Sequence, residues 1–185
     1  MTDASTQVER AFPELEAIDA EPLRAGVERA WTLAIEENEV DDFEAVPWFP
    51  PAQSALGIDD EPLVAHVRDV TAGARALAEV IEERRGTDVD HDLVVAGALV
   101  HDVSKLYEYH GMAETEVGDL LGHPYYGVYV AGKAGLSPRL AHVCLSHTHR
   151  TNVEPAFLEA VVVRRADEAA AAAIRAEAVD DLRDA

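Results

Sequence analysis

The feature that most constrains the fold is a run of apolar and small residues, Leu93–Val100, that is followed by His101, Asp102 and Lys105. A run of this kind belongs in a protein core, so the three polar groups come to the edge of that core. Buried polar groups cost several kcal/mol unless they are paired or bind something. The sequence therefore predicts a buried helix whose polar end is satisfied by other segments of the chain.

Apolar residues recur at helical spacing along most of the chain, and no segment convincingly alternates as a strand would. We expect an all-α fold with one main domain at 59–175. An acidic N-terminal helical appendage with a proline-rich linker is expected at 1–58, and a polar tail at 176–185. The predicted helices cover 22–38, 60–85, 88–90 onward through the apolar run, 114–121, 122–134, 137 onward and 155 onward.

Two segments of the appendage have weaker signals. Residues 1–20 are expected to form a loose or weakly helical leader. Three prolines in the segment 46–57 disfavour regular structure there and predict a linker or a packed loop. Trp48 and Phe49 within this segment should dock on the main domain, either as an anchor or as a lid over a site.

The chain is strongly acidic, with 36 Asp and Glu against 15 Lys and Arg and a net charge of −21. Lysine occurs only at positions 105 and 133. This bias resembles that of proteins from halophilic organisms, whose acidic surfaces stay hydrated at high salt. Because such a surface repels polyanions, we expect neither long nucleic acid nor a membrane as a partner. The sequence leaves a homo-oligomer open.

Cysteine content and hydropathy bear on location. The single cysteine, Cys144, allows no intrachain disulfide, which is typical of a reducing compartment. The N-terminus lacks the basic and apolar regions of a signal peptide. The longest apolar run is far shorter than the roughly 20 residues that cross a bilayer. The sequence therefore predicts a cytoplasmic protein.

A His or Asp interrupts the apolar face of four predicted helices, and two more such residues lie nearby. The set comprises His66, His101, Asp102, His123, His147 and Asp167. These side chains either form a buried hydrogen-bond network or converge on cations. Imidazole and carboxylate ligands in this ratio suit a first-row divalent metal better than Ca²⁺ or an all-sulfur site.

Lys105 lies three residues after Asp102 and four after His101, so it shares their helix face. An ammonium group beside a metal site is well placed to hold a phosphate oxygen. A structural salt bridge to Asp102 or Glu108 is the alternative.

The order of these residues resembles the H…HD…D pattern of the HD superfamily of metal-dependent phosphohydrolases. His66, the pair His101-Asp102, and Asp167 match that pattern in order. The resemblance implies an HD-domain-like helical bundle at 59–175 in which these residues hold a divalent metal. Residues 1–60 match nothing of the kind.

The stretch HDVSK is similar to the HDIGK-type box of branches that add ligands for a second metal. The elements LLGH and LSHTH also resemble the HD domain of a bacterial 3′–5′ exoribonuclease family. That likeness implies His123 and His147 as second-metal ligands. The sequence departs from it at Thr148, where a second adjacent histidine would fall. One or two ions, and the role of His149, therefore stay open.

The resemblance implies hydrolysis of a phosphomonoester or phosphodiester by a metal-activated water, with Asp102 and Lys105 as catalytic residues. We expect a small phosphorylated substrate of nucleotide type and Mn, Fe, Co, Ni, Zn or Mg as the metal. The alternative is a catalytically inactive metal-binding HD module that senses a nucleotide or a protein. His91 and His142 are expected outside the site, and His110 faces either substrate or solvent.

Overall fold

The run Leu93–Val100 lies in the buried helix that the sequence predicts. The computed structural model describes residues 3–58 and 60–184, so Asp59, the first residue of the predicted main domain, lies outside the described residues. The all-α prediction is confirmed. The helices are α1 (Ala4–Ala11), α2 (Glu21–Glu37), α3 (Pro50–Leu56), α4 (Leu63–Arg85), α5 (His91–Val100), α6 (Lys105–Glu108), α7 (Glu116–Leu120), α8 (His123–Lys133), α9 (Pro138–Ser146) and α10 (Leu158–Ala176), with 3₁₀ turns at Pro13–Ala17, Phe43–Ala45 and Leu182–Asp184.

Helix α5 is the centre of the fold. Every residue from Leu93 to Val100 is buried, and the helix contacts α2, α4, α9 and α10. A helix that is apolar on all sides can only be placed inside a bundle. The side chain of Asp90 caps its first turn by accepting a hydrogen bond from the backbone N–H of Leu93 at 3.0 Å. The chain leaves α5 directly into His101 and Asp102.

Helix α4 packs along both α5 and α10. It ends at Arg85, as predicted, with Gly86 in the left-handed conformation (φ 64°). Its start at Leu63 is later than predicted, because Asp60 has a positive φ of 53°. The N–H of Leu63 instead donates to the carbonyl of Val46 at 2.8 Å. This bond ties the beginning of α4 to the segment that carries Trp48.

The leader at 1–20, expected to be loose or weakly helical, is helical over Ala4–Ala11, and its described residues pack on the core. Helix α1 and the following 3₁₀ turn bury Val8, Phe12 and Leu15. The ring of Phe12 lies 5.2 Å from that of Trp31 and 5.6 Å from that of Phe43. The buried apolar residues of the leader belong to the same core cluster as Trp31, Phe43 and the apolar residues of α5.

Trp31 links α2 to the end of α5. Its Nε1–H donates to the carbonyl oxygen of Leu99 at 2.8 Å. Leu99 lies in the last turn of α5, where helix carbonyls lack an intrahelical partner. The N-terminal segment thus caps the central helix two residues before His101.

Three smaller expectations also need correction. Residues 50–56 form α3 and not a loop, because Pro50 and Pro51 occupy its first two positions, where no N–H donor is needed. A two-residue hairpin pairs β1 (Tyr109–His110) with β2 (Ala113–Glu114), although no strand was predicted. Helix α10 begins at Leu158 and not at Pro155.

Among the described residues, none of the helices has the length and apolarity needed to pass through a bilayer.

We expect Trp31→Phe to lower the free energy of unfolding by about 1–3 kcal/mol more than Trp48→Phe, because only the first change leaves a buried carbonyl without its donor. Both tryptophans are buried, and Trp48 Nε1 has no hydrogen-bond partner among the described residues. Denaturant titration of the two variants measures the difference. Equal losses would show that the bond to Leu99 adds nothing to stability.

Candidate metal centre

The six predicted ligand residues come together at one end of α5, although they belong to five separate segments. Within each of two groups, one ligand atom per residue lies within 4.8 Å of the others. The first ligand group is His66, His101, Asp102 and Asp167. The second ligand group is Asp102, His123 and His147.

Several of these side chains lie at the ends of helices. His101 is the C-terminal cap of α5, and His147 is the C-terminal cap of α9. His123 opens α8, after Gly122 turns the chain with a φ of 73°. Two helix C-termini with partial negative charge, which favours a cation, and the N-terminus of α8 with partial positive charge therefore lie at the site.

Asp102 belongs to both ligand groups. Its Oδ2 lies 3.3 Å from His101 Nε2 and 3.5 Å from His66 Nε2. Its Oδ1 lies 3.3 Å from His123 Nε2 and 3.4 Å from His147 Nε2. The two oxygens of one buried carboxylate thus face the two groups separately, which is the arrangement that a bridging ligand requires.

Both carboxylates of the site are ionised. Burial alone would raise the pKa of Asp102, but the charge of Lys105 and the contacts with His101 hold it well below its usual range. Burial acts in the same direction on Asp167, and the surrounding imidazoles lower its pKa to about 2. Asp167 Oδ1 is 3.1 Å from His66 Nε2. Ionised carboxylates are the form that binds metal.

Hydrogen bonds at Nδ1 fix the orientation of three histidines. The Nδ1 of His101 bonds the carbonyl of Ala98 at 2.6 Å, and that of His147 bonds the carbonyl of Cys144 at 2.8 Å. The Nδ1 of His123 bonds Glu108 at 2.5 Å. Because carbonyl and carboxylate oxygens only accept, these contacts orient an Nδ1–H of each ring and leave Nε2 as the nitrogen that faces the site. Arg150 also lies 3.1 Å from His123 Nδ1.

The fit to a metal is supported by buried nitrogens that form no well-aligned hydrogen bond. The Nε2 atoms of His66 and His101 are buried without such a bond among the described residues, and their neighbours are carboxylate oxygens at 3.1–3.5 Å. Such atoms are costly in a core unless something binds them. Imidazole nitrogens with carboxylate oxygens, and no thiolate, suit a first-row divalent ion.

Lys105 lies beside this centre. Its Nζ is 2.8 Å from Asp102 Oδ2, so the salt bridge that was the alternative interpretation is present. The ammonium also lies 5.6 Å from the Trp48 ring centroid and 5.4 Å from that of Phe49. The predicted docking of these two aromatic residues on the main domain is confirmed, and Trp48 packs against the His66 ring at 5.3 Å.

Glu108 and Arg150 complete the surroundings, and neither was predicted as a site residue. Glu108 is fully buried and accepts from His123 through one oxygen and from Arg150 through the other, at 2.7 Å. Burial would raise the pKa of Glu108, but these two partners lower it. A carboxylate inside the aromatic stretch Leu106–Tyr109 was the sequence signal that could have revealed it.

A cleft with a volume of about 430 Å³ opens onto both ligand groups, and we call it the metal-centre cleft. Trp48 and Phe49 form part of its wall, and Lys105, Arg150 and Arg175 also border it. Its remaining lining residues are Asp102, His123, His147, Thr148, His149, Asp167, Glu168 and Ala171. His149 borders the cleft but belongs to neither ligand group among the described residues.

The other reactive side chains lie away from this centre. His91 is at the surface and pairs with Glu82, and the Nε2 of His142 accepts from the backbone of Ala156. His110 is exposed on β1 and does not line the metal-centre cleft. Burial raises the pKa of the Cys144 thiol to about 12, so it carries no nucleophilic thiolate.

Comparison with known proteins gives one family and one curated relative. The model of the family described as HD domain matches residues 63–172. Dihydroneopterin 2′,3′-cyclic phosphate phosphodiesterase from Methanocaldococcus jannaschii is 31% identical over 112 residues, which are 58% of this chain. The match spans 45% of the relative, less than half of its length. No solved structure matches significantly.

We expect the wild-type protein loaded with Mn²⁺ to hold about two ions per chain. His66→Ala should lose the ion of the first ligand group and His123→Ala that of the second, so each variant should hold about one ion. His91→Ala is the matched control and should keep both ions. Elemental analysis after gel filtration measures the content. A stoichiometry that none of these variants changes would contradict the two ligand groups.

We expect Glu108→Gln to weaken binding of the second Mn²⁺ about 10–100-fold, since the amide no longer supplies a charged acceptor for His123. Glu159→Gln is a suitable control, because Glu159 is also buried and pairs with an arginine, Arg139, outside the cleft. Calorimetric titration with Mn²⁺ compares the two. Equal affinities in both variants would exclude an orienting role for Glu108.

Proposed function

Because this chain belongs to the HD-domain family, we propose that it is a metal-dependent phosphohydrolase that cleaves a phosphodiester of a small, nucleotide-like molecule. Family membership and the phosphodiesterase relative support an enzyme of this class. The observation that carries the proposal is the position of Asp102. Its two oxygens face two ligand groups at the base of a cleft bordered by cations.

The two ligand groups would hold one divalent ion each. His66, His101 and Asp167 would complete the first ion's protein ligands, and His123 and His147 the second's, with Asp102 shared between them. Divalent ions in such a site supply Lewis acidity and activate water for attack on phosphorus. The protonated Nδ1 of each oriented histidine keeps the ring fixed, so the donor atoms need no rearrangement.

The chain's own cations would bind the phosphate. Lys105 Nζ and the Arg150 guanidinium both border the cleft, next to Asp102 and His123 respectively. Charge that develops on the phosphoryl oxygens is stabilised by positive groups that are already in position. In a chain with a net charge of −21, these side chains make the cleft locally attractive to an anion.

Trp48 and Phe49 would restrict water around the same cations. Each ring lies within 6 Å of the Lys105 ammonium, and Phe49 lies 5.7 Å from the Arg150 guanidinium carbon. Aromatic walls lower the local dielectric, and charge interactions in the cleft are stronger as a result. The phosphodiester class is favoured over a monoester by the named activity of the relative.

We expect Lys105→Ala to lower kcat for a 2′,3′-cyclic nucleotide by about 10²–10³-fold with the metal content retained, because a positioned donor to a developing oxyanion is lost. Lys133→Ala removes the chain's other lysine, which pairs with Glu37 at the surface, and is the control. The assay measures product release with Mn²⁺-loaded protein, with p-nitrophenyl phosphate as the monoester comparison.

Asp102→Ala should abolish both hydrolysis and metal binding in the same assay. A metal-loaded wild-type protein that hydrolyses no phosphodiester or monoester of the panel would contradict the enzyme assignment. That outcome would favour the non-catalytic sensing module that the sequence leaves as the alternative.

A further inference from the structure

Arg175 is a cation of the metal-centre cleft that forms no ion pair with the described residues. The other two cations are paired, since Lys105 lies 2.8 Å from Asp102 and Arg150 lies 2.7 Å from Glu108. Among the described side chains, the Arg175 guanidinium forms no hydrogen bond either, and it contacts the Trp48 ring. It is half-buried. Its N–H donors are therefore available to an anionic ligand in the cleft.

The nearest acidic neighbour on the same helix does not neutralise Arg175. Glu168 also borders the cleft, but its carboxylate is bound by Arg164 at 3.2 Å and by Arg165 at 2.6 Å. Of the two arginines that border the cleft, Arg175 is therefore the one that has no carboxylate partner among the described residues.

Trp48 holds Arg175 at a defined place relative to the metal centre. The Arg175 guanidinium carbon lies 5.3 Å from the Trp48 ring centroid, and Lys105 Nζ lies 5.6 Å from the same ring. The Arg175 guanidinium carbon and Lys105 Nζ are therefore at most about 11 Å apart. A guanidinium over an aromatic face keeps its in-plane N–H donors free for a ligand.

Arg175 lies farther along α10 than the ligand Asp167. It follows Asp167 by eight residues, so their backbones are about 12 Å apart along the helix axis. Ala171, a residue without a polar side chain, lies between them and also lines the cleft. Because Arg175 and Lys105 contact the same Trp48 ring, one small ligand could reach both the metal centre and the Arg175 guanidinium.

We propose that Arg175, held on Trp48, binds a second anionic group of the substrate, on the same small molecule as the scissile phosphodiester. This inference rests on the proposed function and narrows its substrate class to small phosphodiesters with an additional phosphate or carboxylate. Trp48 lies in the N-terminal segment, outside the matched residues 63–172. The specificity of this chain would therefore depend in part on a segment that the family match does not include.

The test compares 2′,3′-cyclic AMP with its 5′-phosphorylated form. For the wild type, the ratio of kcat/KM with the 5′-phosphate to kcat/KM without it should exceed one. Arg175→Ala should lower this ratio about 10–100-fold, the range expected for a lost hydrogen bond to a charged group. Arg175→Lys should lower it less. Arg75→Ala, which removes an exposed arginine of α4, should keep the wild-type ratio.

A ratio of kcat/KM values that Arg175→Ala leaves at the wild-type value would overturn the inference, whether or not overall activity falls.

A second measurement, of binding, keeps the test independent of hydrolysis. Calorimetric titration of the Mn²⁺-loaded protein compares adenosine 3′,5′-bisphosphate with adenosine 3′-monophosphate. Arg175→Ala should weaken the bisphosphate about 10–100-fold relative to the monophosphate. Equal effects on both ligands would reject the subsite, while hydrolysis of neither cyclic substrate would reject the enzyme assignment instead.

Discussion

The structure depends on one buried carboxylate, that of Asp102. An ionised carboxylate inside a protein is costly unless charges and hydrogen bonds compensate it. Here the apolar body of α5 carries Asp102 to the middle of the bundle, where four imidazoles and the Lys105 ammonium face its two oxygens. Burial raises the free-energy cost of the Asp102 charge, but it also strengthens the interactions of that charge with its neighbours, because water is excluded. The central helix and the metal centre are therefore consequences of one sequence stretch.

Much of this arrangement could be predicted from the sequence because its signals are local. The apolar run, the stop at Gly86 and the proline at the start of α8 set the helices, and the polar residues on apolar faces predicted the candidate ligands, which the structure brings together. Helix α1 was expected only as part of a loose or weakly helical leader, because its few apolar residues pack through Phe12 against Trp31 and Phe43. That contact is tertiary, and it does not appear in local periodicity.

The residues around the ligands were harder to predict for a related reason. Glu108 had only a weak local signal, as a carboxylate in an aromatic stretch, and Arg150 had none, because the two residues meet across 42 positions of the chain. Arg175 did have a local signal, since Asp167, Ala171 and Arg175 share one face of α10. The N-terminal segment, expected as an appendage, supplies both the cap on α5 and an aromatic wall of the cleft. The halophilic bias, the cytoplasmic location and the oligomeric state stay predictions.

The most direct test of the central claim is a crystal structure of the Mn²⁺-loaded protein with anomalous scattering. The account predicts two anomalous peaks about 3.5–4 Å apart, one contacting each Asp102 oxygen, with His66, His101 and Asp167 at the first and His123 and His147 at the second. A single peak that does not contact Asp102, or no peak at this site with the Lys105–Asp102 pair intact, would contradict it.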